Sequence, residues 1–201
     1  MINSKPPGGP PDAVSRNDGV MEQISTRAVY ANNWLTVRED QVRFPDGTPG
    51  IYGVIDKRDF ALVIPRGPDG FWMVEQFRYP IGRRILEFPQ GSWPAGKSGP
   101  PDELARAELR EETGLTAGRL TRLGRLLTAP GFCNQAFDVY LAEDLTPGPT
   151  EREPTEQDMT HHLIGFAEFT ARVASGEIAD AQSLAAYSLL MLTTGGGTAG
   201  R

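Results

Sequence analysis

The sequence predicts an α+β protein, a mixed sheet with helices preceded by a small antiparallel sheet. Three observations carry this. Apolar, β-branched runs of short period, broken by Pro, Gly and Asp, occupy residues 24–55, 60–78 and 120–141. One sharply bounded helical stretch, PDELARAELREET, lies among them at 101–113. Two more helical stretches, 168–175 and 181–193, close the chain.

In chain order, residues 1–20 are rich in Pro, Gly, Ser and Asp with hardly an apolar side chain, which predicts a disordered tail. Over 21–57, Val29, Tyr30, Leu35, Val37, Val42, Ile51, Tyr52, Val54 and Ile55 recur with short period, and Pro45-Asp46-Gly47 supplies a turn. A strand subdomain is expected there, followed by a main domain over 58–193 and a second disordered tail over 194–201. Runs at 60–65 and 71–78 flank Arg66-Gly67-Pro68-Asp69-Gly70, whose turn chemistry predicts a hairpin.

The central helix opens on Pro100 and Pro101, has Asp102 and Glu103 in its positive first turn and stops at Gly114. Strands are expected at 120–127 and 136–141, and a last one at 159–166. On that last strand His161 and His162 point to opposite faces and cannot clamp one metal. Asp180 is the expected cap of the final helix, whose stripe of Leu184, Tyr187, Leu190 and Met191 is assigned to the core. The proline-rich stretch 144–158, DLTPGPTEREPTEQD, is too long for a plain connection and reads as a functional loop.

With 39% hydrophobic and 23% charged residues the chain can bury a core. Its net charge of −6 argues against a nucleic-acid-binding surface as the main function. No apolar run is long enough to span a membrane, and the N-terminal stretch lacks the apolar core of a secretory signal. A single cysteine, Cys133, leaves no intramolecular disulfide and no cysteine-rich zinc site. The expectation is a cytoplasmic protein with neither membrane nor nucleic-acid partners.

The chemistry concentrates on the central helix. Glu108, Glu111 and Glu112 are spaced i, i+3 and i+4, so three carboxylates project within a turn of one another, while Leu104, Ala105 and Leu109 form a packing side. Like charges so close call for a counter-charge, and clustered carboxylate oxygens suit a hard divalent cation such as Mg²⁺. The alternative is a solvated acidic helix face.

Together with the glycine-rich approach EFPQGSWPAGKSGP, this segment resembles the Nudix box, G-x5-E-x7-R-E-U-x-E-E-x-G-U with U a bulky aliphatic residue. Glu108, Leu109, Glu111, Glu112, Gly114 and Leu115 match its second half in register. Three positions depart from it: counting from Gly91 the loop carries a two-residue insertion, Gly99 stands at the early glutamate, and Ala107 stands at the arginine that orients a catalytic glutamate in the family. Arg106 is a candidate substitute for that arginine. The segments EQFRYP and TAPGF are similar to those of the ADP-ribose pyrophosphatase group.

The resemblance implies a three-layer α/β/α Nudix sandwich and Mg²⁺-dependent hydrolysis, with Mn²⁺ as a possible substitute ion. The substrate would be a nucleoside diphosphate derivative, ADP-ribose first, with a GDP-sugar or a non-catalytic nucleotide-sugar sensor as alternatives. It implies Glu108, Glu111, Glu112 and the Gln90 carbonyl as metal ligands, with Glu111 and Glu112 catalytic. From the 144–158 loop it implies a catalytic Glu156, with Glu151, Glu153 and Asp158 as runners-up. Arg78, Glu87, Gly131 and Phe132 are implied at the substrate, and the N-terminal strands in a homodimer. Trp34 is either a base-stacking residue or part of the dimer core, and Trp93 either caps the site or packs its loop down.

Overall fold

The computed structural model describes residues 21–150 and 158–194. The expected tails, apart from Thr194, therefore lie outside the described residues, as do Glu151, Glu153 and Glu156. The described chain divides into two compact units, one formed by 21–57 with 94–98 and 129–134, the other by the remainder from Arg58 onward.

The first unit is a three-stranded antiparallel sheet in the order β1 (Glu22–Ala31), β2 (Leu35–Arg43), β3 (Pro49–Lys57). Asn32 turns the chain between β1 and β2, its side-chain oxygen accepting from the amides of Trp34 and Leu35 at 2.8 and 2.9 Å. Asp46 does the same for Thr48 in the next turn, as the Pro-Asp-Gly signal predicts. No residue of β1 is buried, and Ile24, Val29 and Tyr30 each show about half their surface. The stretch 129–134 joins this unit: Ile55 donates to the Phe132 carbonyl at 2.7 Å and Tyr52 to the Gly131 carbonyl at 3.0 Å.

The second unit has two sheets. One is antiparallel, with β5 (Gly70–Arg78) between β10 (Thr160–Gly165) and β6 (Arg83–Glu87). The other is mixed, in the order β7 (Gln90–Gly91), β4 (Phe60–Pro65), β9 (Ala136–Pro147), β8 (Leu115–Leu127), with β4 and β9 parallel. The predicted hairpin at 66–70 closes through an Arg66–Phe71 bridge, but its arms then part into different sheets. The reason is edge pairing: β4 has β7 on one edge and β9 on the other, which leaves no edge for β5, and all six of its residues are buried in the middle of the sheet.

On one face of β4, Ala61 and Val63 pack with Leu104, Ala105 and Leu109 of α1 (Pro101–Thr113). On the other, Leu62 and Ile64 pack with Phe169 of α2 (Phe166–Ala174) and with Ala186 and Leu190 of α3 (Ala181–Thr194). The result is three layers, helix over sheet over helices. Met191, assigned to the core from its spacing, is instead half exposed, because the packing face of α3 is centred on Ser183, Ala186 and Leu190 and takes in Leu189, turned away from Met191. Among the described residues no helix is long and apolar enough to cross a membrane.

Candidate active site

The helix α1 takes the form its sequence dictates. It starts at Pro101 after Pro100, carries Asp102 and Glu103 in its first turn, and ends at Gly114, whose φ of 72° is the left-handed cap that favours glycine. Its apolar side is pressed on β4, and this carries two of the three clustered glutamates, Glu108 and Glu112, inward. Glu108 is 8% exposed and Glu112 1% exposed. Glu111 is half-buried at the solvent edge, with Arg110 at 3.7 Å.

Both inward carboxylates rest on β7. Glu112 Oε2 accepts from the Gln90 amide at 3.1 Å. Gly91 leaves room for Glu108, since a Cβ at that position would lie 2.4–2.5 Å from its carboxylate atoms. Arg106 does not replace the arginine missing at Ala107, because its guanidinium donates to the Ala117 carbonyl at 3.0 Å. Here a backbone amide from the approach loop helps orient Glu112.

The same loop begins at Glu87, 1% exposed at the end of β6. Arg78 reaches it with Nη2 at 2.6 Å and Nε at 3.2 Å, and Gln76 also donates to it. Burial pushes the Glu87 carboxyl above its ordinary range; the Arg78 charge and hydrogen bond oppose this, the charge of Asp180 adds to it, and Gln76 opposes it. The Gln90 side chain joins the group, donating to Glu87 and to Asp180, each at 3.4 Å. Arg78, Glu87, Gln90, Glu108 and Glu112 are thus gathered around one strand-loop segment.

Other expected site residues fall elsewhere. Trp34 stands 68% exposed in the first unit, outside any core of this chain. Gly131 and Phe132 also belong to that unit, where the Phe132 amide is engaged by the Ala129 carbonyl at 3.1 Å while its ring is exposed. Trp93 packs its loop down: its indole N–H donates to the Gly99 carbonyl at 3.3 Å and its ring lies against the α1 core. Asp158 is held by Arg84, through a 2.7 Å ion pair and a 2.8 Å bond to its carbonyl. His162 bonds Thr160 at 2.9 Å and His161 lies against Trp72, in keeping with their opposite faces.

Asp180 and Ser183 are the participants that sequence reasoning did not bring to the site. Asp180 is legible as a helix cap, but nothing local marks it as the neighbour of a residue 90 positions earlier in the chain.

Among the described residues no three His, Cys, Asp or Glu side chains are gathered closely enough to hold a metal ion by themselves. The donors at hand are carboxylate and carbonyl oxygens. They fit a hard divalent cation that keeps several waters and completes its shell with substrate phosphate.

A family model described as the nucleoside diphosphate sugar hydrolase N-terminal domain matches residues 21–55. The chain is 34% identical over 177 residues to an ADP-ribose pyrophosphatase of Mycobacterium tuberculosis, covering 87% of this chain and 85% of that protein. It is 29% identical over 171 residues to an ADP-ribose pyrophosphatase of Bacillus subtilis, covering 84% and 91% respectively. A crystal structure of an ADP compounds hydrolase superposes with a TM-score of 0.76 at 20% identity, over 88% of this chain and 95% of the other.

Proposed function

Since the chain belongs to the ADP-ribose pyrophosphatase group of the Nudix hydrolases, we propose that it hydrolyses the diphosphate of ADP-ribose-like nucleoside diphosphate derivatives, and that ADP-ribose itself, yielding AMP and ribose 5-phosphate, is its principal substrate. The observation that carries this reading is the seating of Glu108 and Glu112 against Gly91 and Gln90, one short loop away from the Arg78–Glu87 pair. Acidic oxygens for a cation, carried by α1, and a guanidinium for phosphate, carried by β5, are thus both held against residues 87–91.

Glu108, Glu111, Glu112 and the Gln90 carbonyl would hold a divalent ion, Mg²⁺ or Mn²⁺. When bound, that ion neutralises diphosphate charge and lowers the pKa of a coordinated water. The chain supplies the rest. Arg78, 40% exposed, keeps donors available for phosphate oxygens while Glu87 fixes its direction, so the diphosphate is held in line for attack. Water adds to one phosphorus, the bridging P–O bond breaks, and the displaced phosphate leaves with the bridging oxygen. The proton lost by water goes to a carboxylate of the 151–158 loop, for which Glu156 is the assignment.

The exposed apolar strands of the first unit support a homodimer through β1–β3, with Trp34 either within that contact or stacked on the substrate base. A cytoplasmic location accompanies this reading.

The test is incubation with Mg²⁺ and a panel of ADP-ribose, GDP-mannose, dinucleotides and nucleoside triphosphates, with products identified. ADP-ribose is expected to be cleaved fastest. Tight binding of a diphosphate without turnover of any would replace the hydrolase by a nucleotide-sugar sensor.

A further inference from the structure

Residues 88–90 are the two-residue link between β6 and β7, Phe88 and Pro89, and the first residue of β7, Gln90, with the buried Glu87 carboxylate before them and the proposed ligand carbonyl at their end. Their polar groups are engaged from three directions. The Pro89 carbonyl accepts from Val63 of β4 at 2.9 Å, and the Gln90 amide donates to Glu112 of α1. The Phe88 amide donates to Ser183 Oγ of α3 at 2.8 Å, 95 residues along the chain.

Ser183 is fully buried, and its hydroxyl has one proton to give. That proton goes to Asp180 Oδ2 at 2.7 Å, leaving a lone pair for Phe88. The same carboxylate oxygen accepts the Ser183 amide at 2.8 Å as a helix cap and is reached by Gln90 Nε2 at 3.4 Å. A cap needs only the first of these bonds. The others tie the first turn of α3 to both ends of the 88–90 segment.

The consequence for the site follows from strand geometry. The amide and carbonyl of one extended residue leave the same edge of the strand. The Gln90 amide points to Glu112, so its carbonyl leaves on that edge as well. The two groups flank one Cα, so a displacement of Gln90 as a whole moves its carbonyl and its bond to Glu112 together.

We propose that Asp180 and Ser183 are positioning residues for the metal site: the first turn of α3 is a bracket that fixes residues 88–90, and through them the Gln90 carbonyl and the Glu112 carboxylate. This rests on the reading of Gln90, Glu108 and Glu112 as ligands of a divalent ion. The bracket acts without either residue being a ligand.

The experiment uses the full chain and the variants Asp180→Ala, Asp180→Asn, Ser183→Ala and Gln90→Ala. Binding of Mn²⁺ alone is followed by electron paramagnetic resonance, ADP-ribose hydrolysis by steady-state kinetics, and folding by thermal unfolding. Asp180→Ala and Ser183→Ala are expected to weaken Mn²⁺ binding about 10-fold and to lower kcat about as much, with KM for ADP-ribose within about 2-fold. Asp180→Asn keeps a cap acceptor and should restore both to within about 3-fold.

A lowered unfolding temperature with unchanged Mn²⁺ affinity and unchanged kcat would reduce the pair to an ordinary helix cap and overturn the proposal. If Ser183→Ala fails to fold, Gln90→Ala decides, because it cuts the side-chain arm without opening the core. It should weaken Mn²⁺ binding about 3-fold, and wild-type affinity would count against the bracket. Wild-type protein that binds no Mn²⁺ overturns the site reading itself, whereas wild-type binding equalled by Asp180→Ala overturns only the bracket.

Discussion

Gly91→Ala isolates the seating of Glu108 from everything else in the site. The φ of Gly91 lies outside the left-handed region, so alanine meets no backbone strain there. Its Cβ would stand 2.4 Å from Glu108 Oε2 and 2.5 Å from Oε1 and Cδ, so the carboxylate must retreat by roughly 1 Å to reach ordinary contact. A carboxylate is the far end of a flexible side chain and can yield. Against that cost stands a gain of about 0.4–1 kcal/mol from the stiffer unfolded chain, so net stability should change by less than about 1 kcal/mol. Activity should not escape so lightly, since a misplacement of about 1 Å in a catalytic constellation costs on the order of 10²-fold. Mg²⁺-dependent hydrolysis of ADP-ribose, measured beside thermal unfolding, should show a large fall in kcat with a nearly unmoved transition. Undiminished kcat would refute the placement of Glu108 at the reaction. A collapse of stability instead would mean that Gly91 serves packing rather than the carboxylate.

Three further outcomes follow from the same geometry. Arg78→Met removes the counter-charge of a carboxylate that is 1% exposed. With the solvent exposure of Arg78 allowed for, the loss should be about 2 kcal/mol at neutral pH. Because burial raises the folded-state pKa of Glu87, the folded protein binds more protons than the unfolded one from the ordinary carboxylate range upward, so this cost appears as pH rises through that window. Urea titrations in metal-free buffer should show the Arg78→Met deficit growing from pH 5 to pH 8, and a deficit independent of pH would refute the pairing. Glu112→Gln and Glu111→Gln should each lower kcat by about 10²-fold or more, the first from a buried ligand and the second from the one glutamate of the three left at the solvent edge. Wild-type rates for Glu111→Gln would leave it a surface partner of Arg110. Sedimentation should give twice the 21.9 kDa of the chain, and Trp34→Ser with Ile24→Ser should shift it to the monomer; a monomeric wild type at micromolar concentration would remove the role given to β1–β3.

How much of this was legible depends on whether the deciding contact is local. The limits of α1 were readable because prolines, first-turn acids and Gly114 act within a few residues of themselves. The cap at Asp180 was readable for the same reason. The partition of β4 and β5 into separate sheets was not, because a turn signal reports only that the chain reverses, while pairing is settled by partners such as β9, more than 70 residues away. The same limit applies to Met191, whose periodicity places it on an apolar stripe without saying which side of that stripe the sheet will cover.

The support of the glutamates makes the point most sharply. Read from sequence alone, Ala107 removes the arginine that orients a catalytic glutamate, and the neighbouring Arg106 is the natural replacement. In the folded chain Arg106 turns to a β8 carbonyl, while a donor to Glu112 comes from the Gln90 amide. That donor is backbone, so no side-chain pattern reveals it. Its direction is set by Val63, Ser183 and Asp180, which lie on two elements remote from α1 in sequence. An arginine in the helix can be lost to one substitution, whereas an amide can be lost only by moving the loop that bears it. The departure at Ala107 therefore bears less on whether Glu112 is oriented than on what orients it, and it shifts the sensitive positions of this chain from the helix to the 88–90 segment and the turn of α3 that holds it.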